Sequence, residues 1–292
     1  MRRIDLIRLL SLAAIWGASF LFMRVIAPVL GPLWTAESRV AIAGSLMLVF
    51  MLARAQSMRF GANWRQYVII GTINSALPAA LYAYAALTLP AGYSAILNAT
   101  SPLWGALIGA LVLKESLTWR KASGLLCGLA GVALLVRLGP VQFTPAVLLA
   151  ALACAAAALC YAASGAYAKL RSSGIAPNLM ATGSQLGAAL VLLPTLPFAP
   201  MRSTPTPLVL LMVLLLAVLC SALAYFLYFR LLADIGPTKS LTVTFLIPLF
   251  ALLWGTLFLQ ENINSTMLAG CALVILATWL VTFPSQRRVL AT

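Results

Sequence analysis

The sequence contains no histidine and only five acidic residues among 292. Without histidine, a thiolate–imidazole metal site, Cys–His catalysis, an HExxH metalloprotease and a Ser–His dyad are excluded. The acids, Asp5, Glu37, Glu115, Asp234 and Glu261, are scattered, whereas a magnesium-dependent isoprenoid-transferring enzyme needs clustered carboxylates. The chain also lacks a GxxxxGK[ST] phosphate loop. We therefore expect a protein that is not an enzyme and that holds neither a metal nor a cofactor.

Charged residues of either sign are scarce. They make up 8% of the chain, hydrophobic residues make up 63% and the mean hydropathy is +1.04, whereas soluble domains carry about 25% charged residues. The formal net charge of +14 comes from basic residues that separate apolar runs, so it indicates membrane topology and not nucleic-acid binding. The five cysteines lie inside apolar segments without a CxxC pair, which is typical of small core residues.

Apolar stretches long enough to cross a bilayer recur along the whole chain. About 20 residues span the hydrocarbon core as a helix. The first stretch begins like a signal peptide, but it runs on to Ala27 without a cleavage-type exit. The sequence predicts an all-α polytopic membrane protein in the lipid bilayer, with ten transmembrane helices near 6–27, 34–53, 67–87, 91–113, 122–138, 146–168, 177–197, 207–231, 238–259 and 266–283.

The basic residues predict an orientation. With a cytoplasmic N-terminus, fifteen Lys and Arg fall on the cytoplasmic side and three, Arg24, Arg137 and Arg202, on the other, while Arg39 lies inside the second helix. This bias in short links follows the positive-inside rule. It predicts a multi-pass protein of the bacterial inner membrane with both termini in the cytoplasm.

The two halves of the chain share a sparse pattern of polar residues. A shift of 146 residues superposes Tyr82 on Tyr228, Pro102 on Pro248, Gly109 on Gly255, Glu115 on Glu261 and Gly124 on Gly270. A shift of 145 places "WGASFLFMR" on "YAASGAYAK". Each half holds five predicted helices, and because five is odd the second half enters the membrane inverted. We predict two inverted five-helix repeats, 1–145 and 146–292, an arrangement typical of alternating-access transporters; duplication retained for folding alone is the alternative.

Several motifs resemble the drug/metabolite transporter superfamily. These are "WGASFLFMR", the "ESR" at 37–39 and two copies of P-x12-E-x8-G. The chain is most similar to the EamA-type ten-helix branch, which includes the YddG-type aromatic amino acid exporters. The resemblance covers essentially the whole chain and implies export of amino acids and related small metabolites through a central cavity between helices 3, 4, 8 and 9. Arg24 stands where the family often has Lys, and Gly131 corresponds to Ala277. Because of these departures, the resemblance does not determine the substrate.

Polar and aromatic residues deep in helices 3, 4, 8 and 9 are the candidates for solute binding. Asn74, Pro78 and Tyr82 follow at i, i+4 and i+8 and share one helix face. An amide such as Asn98 can bind an ammonium or a carboxylate, and aromatic faces suit apolar or cationic groups. Joining neighbouring helices is the alternative role for each residue taken singly. The candidates are Asn74, Pro78, Tyr82, Ser94, Asn98, Ser101, Trp104, Ser221, Tyr225, Tyr228, Thr242 and Thr244.

Four further residues are candidates for gating. Pro102 and Pro248 each free a backbone carbonyl within a helix. Trp16 and Tyr161 correspond to each other in the repeat, and anchoring at the membrane interface is their alternative role.

Three basic residues near or within helices leave alternatives open. Arg24 and Lys169, related by the repeat, either bind an anionic group or extend to the membrane surface. A central arginine costs about 3 kcal/mol on insertion scales, so we expect Arg39 to reach the outer surface or to pair within the protein.

These features favour a secondary transporter for amino acids with aromatic or apolar side chains. Because no acid lies at mid-depth, with Glu37 as the possible exception, facilitated diffusion or exchange is expected in place of proton coupling. A sugar-phosphate or nucleotide-precursor exchanger is the alternative and would need at least two deep cationic residues. A membrane enzyme and a channel-like scaffold are further alternatives, and the sequence leaves the oligomeric state open.

Overall fold

The computed structural model describes residues 2–138, 141–172, 174–240 and 243–282, and all regular structure in these ranges is helical. The α-helices are α1 Arg3–Leu30, α2 Pro32–Ala53, α3 Phe60–Gly71, α4 Leu77–Ala85, α5 Ala91–Asn98, α6 Ser101–Leu111, α7 Trp119–Leu138, α8 Pro145–Arg171, α9 Pro177–Leu192, α10 Pro207–Ala217, α11 Ala224–Ser240, α12 Val243–Leu259 and α13 Ser265–Thr282. Two π-helical segments, Thr72–Ala76 and Val218–Leu223, and a 3-10 segment, Leu193–Phe198, continue neighbouring helices.

Within the described ranges, eight helical segments are long and apolar enough to cross a membrane. They include the 28-residue α1 and the composite segment Phe60–Ala85, in which α3 and α4 join through a π-helical turn. Val243–Leu259 is a shorter apolar helix. The predicted all-helical membrane class is therefore confirmed, while the count of ten crossings and their inversion stay predictions.

The two π-helical segments lie at corresponding places in the two halves. Thr72–Ala76 separates α3 from α4, and Val218–Leu223 separates α10 from α11. The residues at which they begin are 146 positions apart, the shift that superposes the halves of the sequence. A π-helical turn carries one extra residue and rotates the following face of the helix. Both halves therefore have the same interruption, and α-helical spacing does not hold across it.

The predicted segment 91–113 is two helices, α5 and α6, with residues 99–100 between them. All residues of α5 before Asn98 are buried. The α5 residue Gly92 lies against Leu252 of α12 and Met267 of α13. α5 therefore lies in the main hydrophobic core, while α6 has a larger share of exposed residues.

Close helix pairs join the first half of the chain to the second. α7 packs along α13, α1 along α12, α4 along α8, and α3 along α9. A Cβ on Gly71 of α3 would overlap the backbone of Ser184 and Ala188 in α9, and one on Gly187 would overlap the backbone of Tyr67. Glycine allows this approach because the two backbones are in direct contact. The arrangement encloses a space between the two halves.

Candidate functional site

A cavity of about 360 Å³ lies between helices of both halves. Its wall is built from α1, α2, α8, α9 and α12, from the two π-helical segments and from residues of α4, α5, α6 and α11. Pockets that bind small molecules have volumes of about 300–1,000 Å³ and largely apolar walls. This cavity is therefore large enough for a small organic solute.

Nine residues that the sequence predicts for binding or gating line the cavity. They come from both halves, and most are aromatic or carry an amide or hydroxyl group. They are Trp16, Asn74, Tyr82, Asn98, Ser101, Tyr161, Tyr225, Tyr228 and Thr244.

Six other candidates lie off the cavity wall, namely Pro78, Ser94, Pro102, Trp104, Ser221 and Pro248. Ser221 lies directly behind the wall and contacts a residue of it, while Ser94 is buried in the core. Thr242 lies outside the described residues. The π-helical turn explains the position of Pro78, because it changes the register so that Asn74 and Ser75 face the cavity and are followed by Ala79 and Tyr82.

The sequence interpretation did not include several residues of the wall. Four are polar, and the others are apolar side chains that fill the space between the polar ones. The polar residues are Ser19, Arg39, Ser75 and Gln185, and the apolar ones are Phe20, Met23, Val40, Ala79, Cys220, Val243 and Ile247. The repeat contained a signal for Gln185, since it lies 146 residues after Arg39.

Aromatic rings cover one part of the wall. Trp16 and Tyr228 are 5.5 Å apart between ring centroids, and Tyr82 and Tyr161 are stacked at 6.2 Å. Phe20 meets the edge of Tyr82 at 5.5 Å. The first two contacts correspond in the repeat, because Trp16 superposes on Tyr161 and Tyr82 on Tyr228. The aromatic surface is thus assembled from two matching pairs, and each pair joins one ring of the first half to one ring of the second.

Two amide side chains on the wall have hydrogen bonds to tyrosines. The Tyr82 hydroxyl donates to Asn98 Oδ1 at 2.8 Å, which joins α4 to α5. The Asn74 amide lies 3.5 Å from the Tyr225 hydroxyl, at the limit of a hydrogen bond. These contacts hold amide and phenol groups where a solute in the cavity can reach them.

A second pair of matching contacts involves α2 and α9. Arg39 Nε donates to Ser221 Oγ at 2.9 Å, and Gln185 Nε2 donates to Ser75 Oγ at 3.4 Å. Arg39 and Gln185 are 146 residues apart, as are Ser75 and Ser221. The same contact therefore occurs twice between the halves, once with a guanidinium and once with a neutral amide.

Acidic side chains lie away from the cavity wall. All five acids are described residues, and none of them lines the cavity. Glu37 is 6% exposed, and its Oε2 has no hydrogen-bond partner in the described structure. Asp5 and Asp234 pair with Arg2 and Arg8 near the start of α1. The positive charge of Arg39 on the wall has no acidic counterpart there.

Glu115 and Glu261, which correspond in the repeat, lie in the links after α6 and α12. Both oxygens of Glu261 accept a hydrogen bond from the backbone N–H of Ala91, at 2.9 and 3.0 Å. Glu115 pairs with Lys169 at 3.2 Å and with Lys121 at 3.5 Å. The hydrogen bond from Lys169 lowers the pKa of Glu115 below its ordinary value.

Arg24 is held at a helix end and lies off the cavity wall. Its guanidinium donates to the backbone oxygen of Ala86 at 2.6 Å, just beyond the end of α4. A basic side chain is favourable there because it meets the partial negative charge of the helix C-terminus. Within the described structure, no group of three or more His, Cys, Asp and Glu side chains is placed to hold a metal ion.

Comparisons with known proteins agree with this architecture. The model of the EamA-like transporter family matches the chain twice, over residues 4–137 and 148–283. Protein PecM of Dickeya dadantii is 30% identical over 91% of this chain and 88% of its own length. An uncharacterized transporter of Bacillus subtilis, YvbV, is 26% identical over 94% and 90%.

Similarities extend to a plant protein and to a solved structure. The WAT1-related protein At3g02690 of Arabidopsis thaliana, described as chloroplastic, is 26% identical over 92% of this chain and 67% of its own length. A crystal structure that shares 21% identity covers 97% of both chains with a TM-score of 0.66, which shows the same fold. The family match covers nearly the whole chain, and the protein therefore belongs to the EamA-like transporter family.

Proposed function

We propose that the protein is a secondary transporter that exports amino acids, preferably aromatic or apolar ones, and related small metabolites by alternating access. The observation that carries this proposal is the cavity of about 360 Å³, whose wall combines aromatic rings with isolated amide groups and is contributed by both halves. Aromatic faces suit an apolar or cationic side chain. Amide groups suit the polar end of the same solute. The aromatic preference follows from the rings that cover one part of the wall.

The architecture that we propose has ten crossings in two inverted units, 1–145 and 146–292. Matching features at a shift of 146 residues support it: the two π-helical segments, and the contacts of Arg39 and Gln185 with their serines. The two family matches, 4–137 and 148–283, divide the chain at the same place. Two halves that exchange conformations would open the cavity alternately to the two sides of the membrane.

The orientation and the energy source follow from the charges. We infer an inner-membrane protein with cytoplasmic termini, in accordance with the positive-inside bias. Facilitated diffusion or exchange agrees with a cavity wall that carries no carboxylate among its described residues. Trp16 and Tyr161 are the gating candidates that line the cavity, while Pro102 and Pro248 lie off its wall on α6 and α12, two helices that contribute other residues to it.

Counterflow in proteoliposomes tests the proposed function. Vesicles are loaded with one unlabelled amino acid at a time, and the entry of labelled phenylalanine is followed. A carrier gives saturable entry that is accelerated by particular internal amino acids. Entry that does not depend on the internal solute would instead indicate a channel, and a chemically altered product would indicate an enzyme.

Substitutions on the cavity wall test the site. Tyr82→Ala and Asn98→Ala remove the two partners of the hydrogen bond between α4 and α5, and we expect each to reduce transport per inserted molecule by about tenfold, which corresponds to about 1.4 kcal/mol. Tyr84→Ala is the matched control, because Tyr84 lies on the same helix, is 41% exposed and does not line the cavity. Unchanged rates in the first two variants would remove these residues from the site.

A phosphate-ester exchanger is the second candidate, because Arg39 lies on the cavity wall. Such a substrate carries two negative charges and suits a cavity with at least two cationic groups. The described wall offers Arg39 alone, so we favour a solute with a single negative group. Counterflow with internal sugar phosphates in place of amino acids distinguishes the two candidates.

A further inference from the structure

The charge of Arg39 is not needed to build the contact that holds it. Its hydrogen bond to Ser221 has a counterpart at a shift of 146 residues, the bond that Gln185 donates to Ser75. A neutral amide therefore fills the corresponding position and bonds the corresponding serine. A cation within the membrane is costly, whereas an amide is cheaper. The guanidinium thus has to be explained by something other than packing between α2 and the second π-helical segment.

None of the five acidic side chains neutralises Arg39. The five carboxylate side chains all belong to the described part of the chain, and none lies within ion-pair distance of the guanidinium. Its one hydrogen bond within the described residues leaves from Nε. Arginine has five N–H donors in a planar fork, so the donors on the two terminal nitrogens remain for a ligand in the cavity.

Gln185 supplies an independent observation at the same cavity. Its side chain lines the cavity, is 4% exposed, and donates through Nε2 to Ser75. Its Oε1 has no hydrogen-bond partner in the described structure. A buried acceptor without a partner is costly, and here the cavity is where a partner can come from. Arg39 and Gln185, which both line the cavity, therefore provide donors without a partner and a buried acceptor without a partner.

We propose that Arg39 binds the carboxylate of the transported solute, and that Gln185 Oε1 accepts a hydrogen bond from an N–H group of the same molecule. This rests on the proposed function and narrows its substrate class to organic monocarboxylates with an apolar or aromatic body, amino acids among them. Guanidinium and carboxylate form paired, charge-assisted hydrogen bonds. The aromatic rings of Trp16, Tyr82 and Tyr161 provide the surface for the body of the solute.

The two ends of an amino acid differ in importance in this arrangement. The carboxylate meets a full positive charge, whereas the ammonium meets only neutral acceptors, because no described acid lines the cavity. Removing the carboxylate from a solute therefore costs more affinity than removing the amine. Three probes of similar shape separate these effects: phenylalanine, 3-phenylpropionate, which lacks the amine, and phenethylamine, which lacks the carboxylate.

Binding to the purified full-length protein tests this without transport. Affinities are measured by the concentration dependence of the thermal unfolding midpoint in detergent. We expect phenylalanine and 3-phenylpropionate to bind within about tenfold of each other, a difference of one hydrogen bond or about 1.4 kcal/mol. Phenethylamine should bind more than about thirtyfold more weakly than phenylalanine, since it leaves the guanidinium without an anion. Equal affinity of phenethylamine and phenylalanine would overturn the proposal.

Arg39→Gln is the decisive variant, because Gln185 shows that glutamine fits the corresponding position. We expect it to lower the affinity for both carboxylates by about 10- to 100-fold, as for the loss of a charge-assisted pair, and not to lower the affinity for phenethylamine, whose positive charge Arg39 repels. Arg39→Lys, which keeps the charge and loses the fork, should fall between the two. Arg54→Gln removes a charge at the end of α2, away from the cavity, and is the matched control. Carboxylate affinity in Arg39→Gln equal to that of the unmodified protein would overturn the proposal.

The same data separate this proposal from the proposed function. Carboxylates that bind and lose affinity in Arg39→Gln, in a protein that fails counterflow with every amino acid, would support the site and reject amino acid transport. Counterflow of amino acids that is as fast in Arg39→Gln as in the unmodified protein would support transport and reject the site. If no probe of a matched series of aromatic and aliphatic monocarboxylates shifts the midpoint of the unmodified protein, the carboxylate site is rejected.

Discussion

The turns that follow α6 and α12, residues 109–115 and 255–261, can be compared residue by residue. Lys114 and Gln260 both have a φ of 54°. The next residue, a glutamate in both turns, donates its backbone N–H to the oxygen of a glycine six residues earlier, at 2.9 Å for Gly109 and 3.1 Å for Gly255. The backbone of the two turns is thus the same, and their sequences share the glycine, the glutamate and two leucines, Leu111 with Leu257 and Leu113 with Leu259.

The partners of the two glutamates differ. Glu261 accepts the backbone N–H of Ala91 at the start of α5, where a negative charge meets the positive end of a helix. Glu115 is 42% exposed and pairs with Lys169 and Lys121. One turn is therefore attached to the backbone of a buried helix, and the other is held by side chains that water and salt can reach.

The difference shows that two turns with the same backbone can be attached to their surroundings in different ways. Arg24 bonds the oxygen of Ala86 and Glu261 bonds the N–H of Ala91, so the link between α4 and α5 is held on both sides. Lys169, which corresponds to Arg24, instead pairs directly with Glu115. Contacts to backbone groups have fixed geometry, whereas pairs of exposed side chains separate easily. The 255–261 turn is therefore held by contacts of fixed geometry, and the 109–115 turn by exposed ion pairs.

Among substitutions in the two turns, removal of the Glu261 carboxylate should lower stability the most. Glu261→Ala leaves the N–H of Ala91 without its acceptor, and hydrogen bonds to charged groups contribute about 1.5–3 kcal/mol. We expect the free energy of unfolding in detergent to fall by about 2 kcal/mol. Glu115→Ala is the matched control and should lower it by less than about 1 kcal/mol. Equal losses in the two variants would show that the two turns are energetically alike.

Substitution of Gly255 and Gly109, the glycines that begin the two turns, should show the same difference in stability, at about half the size expected for the glutamates. A Cβ on Gly255 would overlap Oε2 of Glu261, while one on Gly109 would lie 3.0 Å from Oε2 of Glu115. The exposed Glu115 carboxylate can move into solvent, whereas Glu261 can move only by leaving Ala91. We expect Gly255→Ala to destabilise by about 1 kcal/mol and Gly109→Ala to be nearly neutral.

A double-mutant cycle links these two predictions. In the Glu261→Ala variant, no carboxylate lies beside Gly255. Gly255→Ala should then cost little stability or even stabilise α12, since alanine favours the helix by up to about 1 kcal/mol over glycine. A coupling energy of about 1 kcal/mol is expected for residues in direct contact. Additive losses would mean that the carboxylate and the glycine do not interact.

Much of the fold could be predicted from the sequence because membrane helices are encoded by apolar length. The α-helices α1, α2, α8 and α9 lie within a few residues of their predicted segments. The interruptions could not be predicted, since the π-helical segments contain neither proline nor a charged residue. Each looks locally like continuous α-helix, and only packing against the other half of the chain selects the wider turn.

The same interruptions explain which site residues could be predicted. Tyr82, Asn98 and Tyr161 are conspicuous as aromatic or amide groups in apolar runs, and they line the cavity. Pro78 was selected by α-helical spacing across a π-helical turn, and it lies off the wall. The sequence shows that Arg39 lies inside a predicted helix, but the position of its side chain depends on Ser221, which is 182 residues away. Contacts of that range follow from the pairing of the halves and not from local spacing.

The smallest expected effect concerns the pH and salt dependence of the Glu115 pairs. The hydrogen bond from Lys169 lowers the pKa of Glu115 in the folded protein, so its stabilisation is present above the unfolded pKa of about 4.3 and is lost as the pH falls through the folded value. We expect the difference in stability between the unmodified protein and Glu115→Gln to be below about 1 kcal/mol at pH 7, and to shrink in about 0.5 M salt. The corresponding difference for Glu261→Gln should persist in salt, because a carboxylate held by a backbone N–H has a contact partner of fixed position. Denaturation of both variants at two salt concentrations, at pH 7 and at a pH below the folded pKa of Glu115, measures this. A Glu115 contribution that survives both salt and that acid pH would show that its pairs are not the exposed, screened contacts described above.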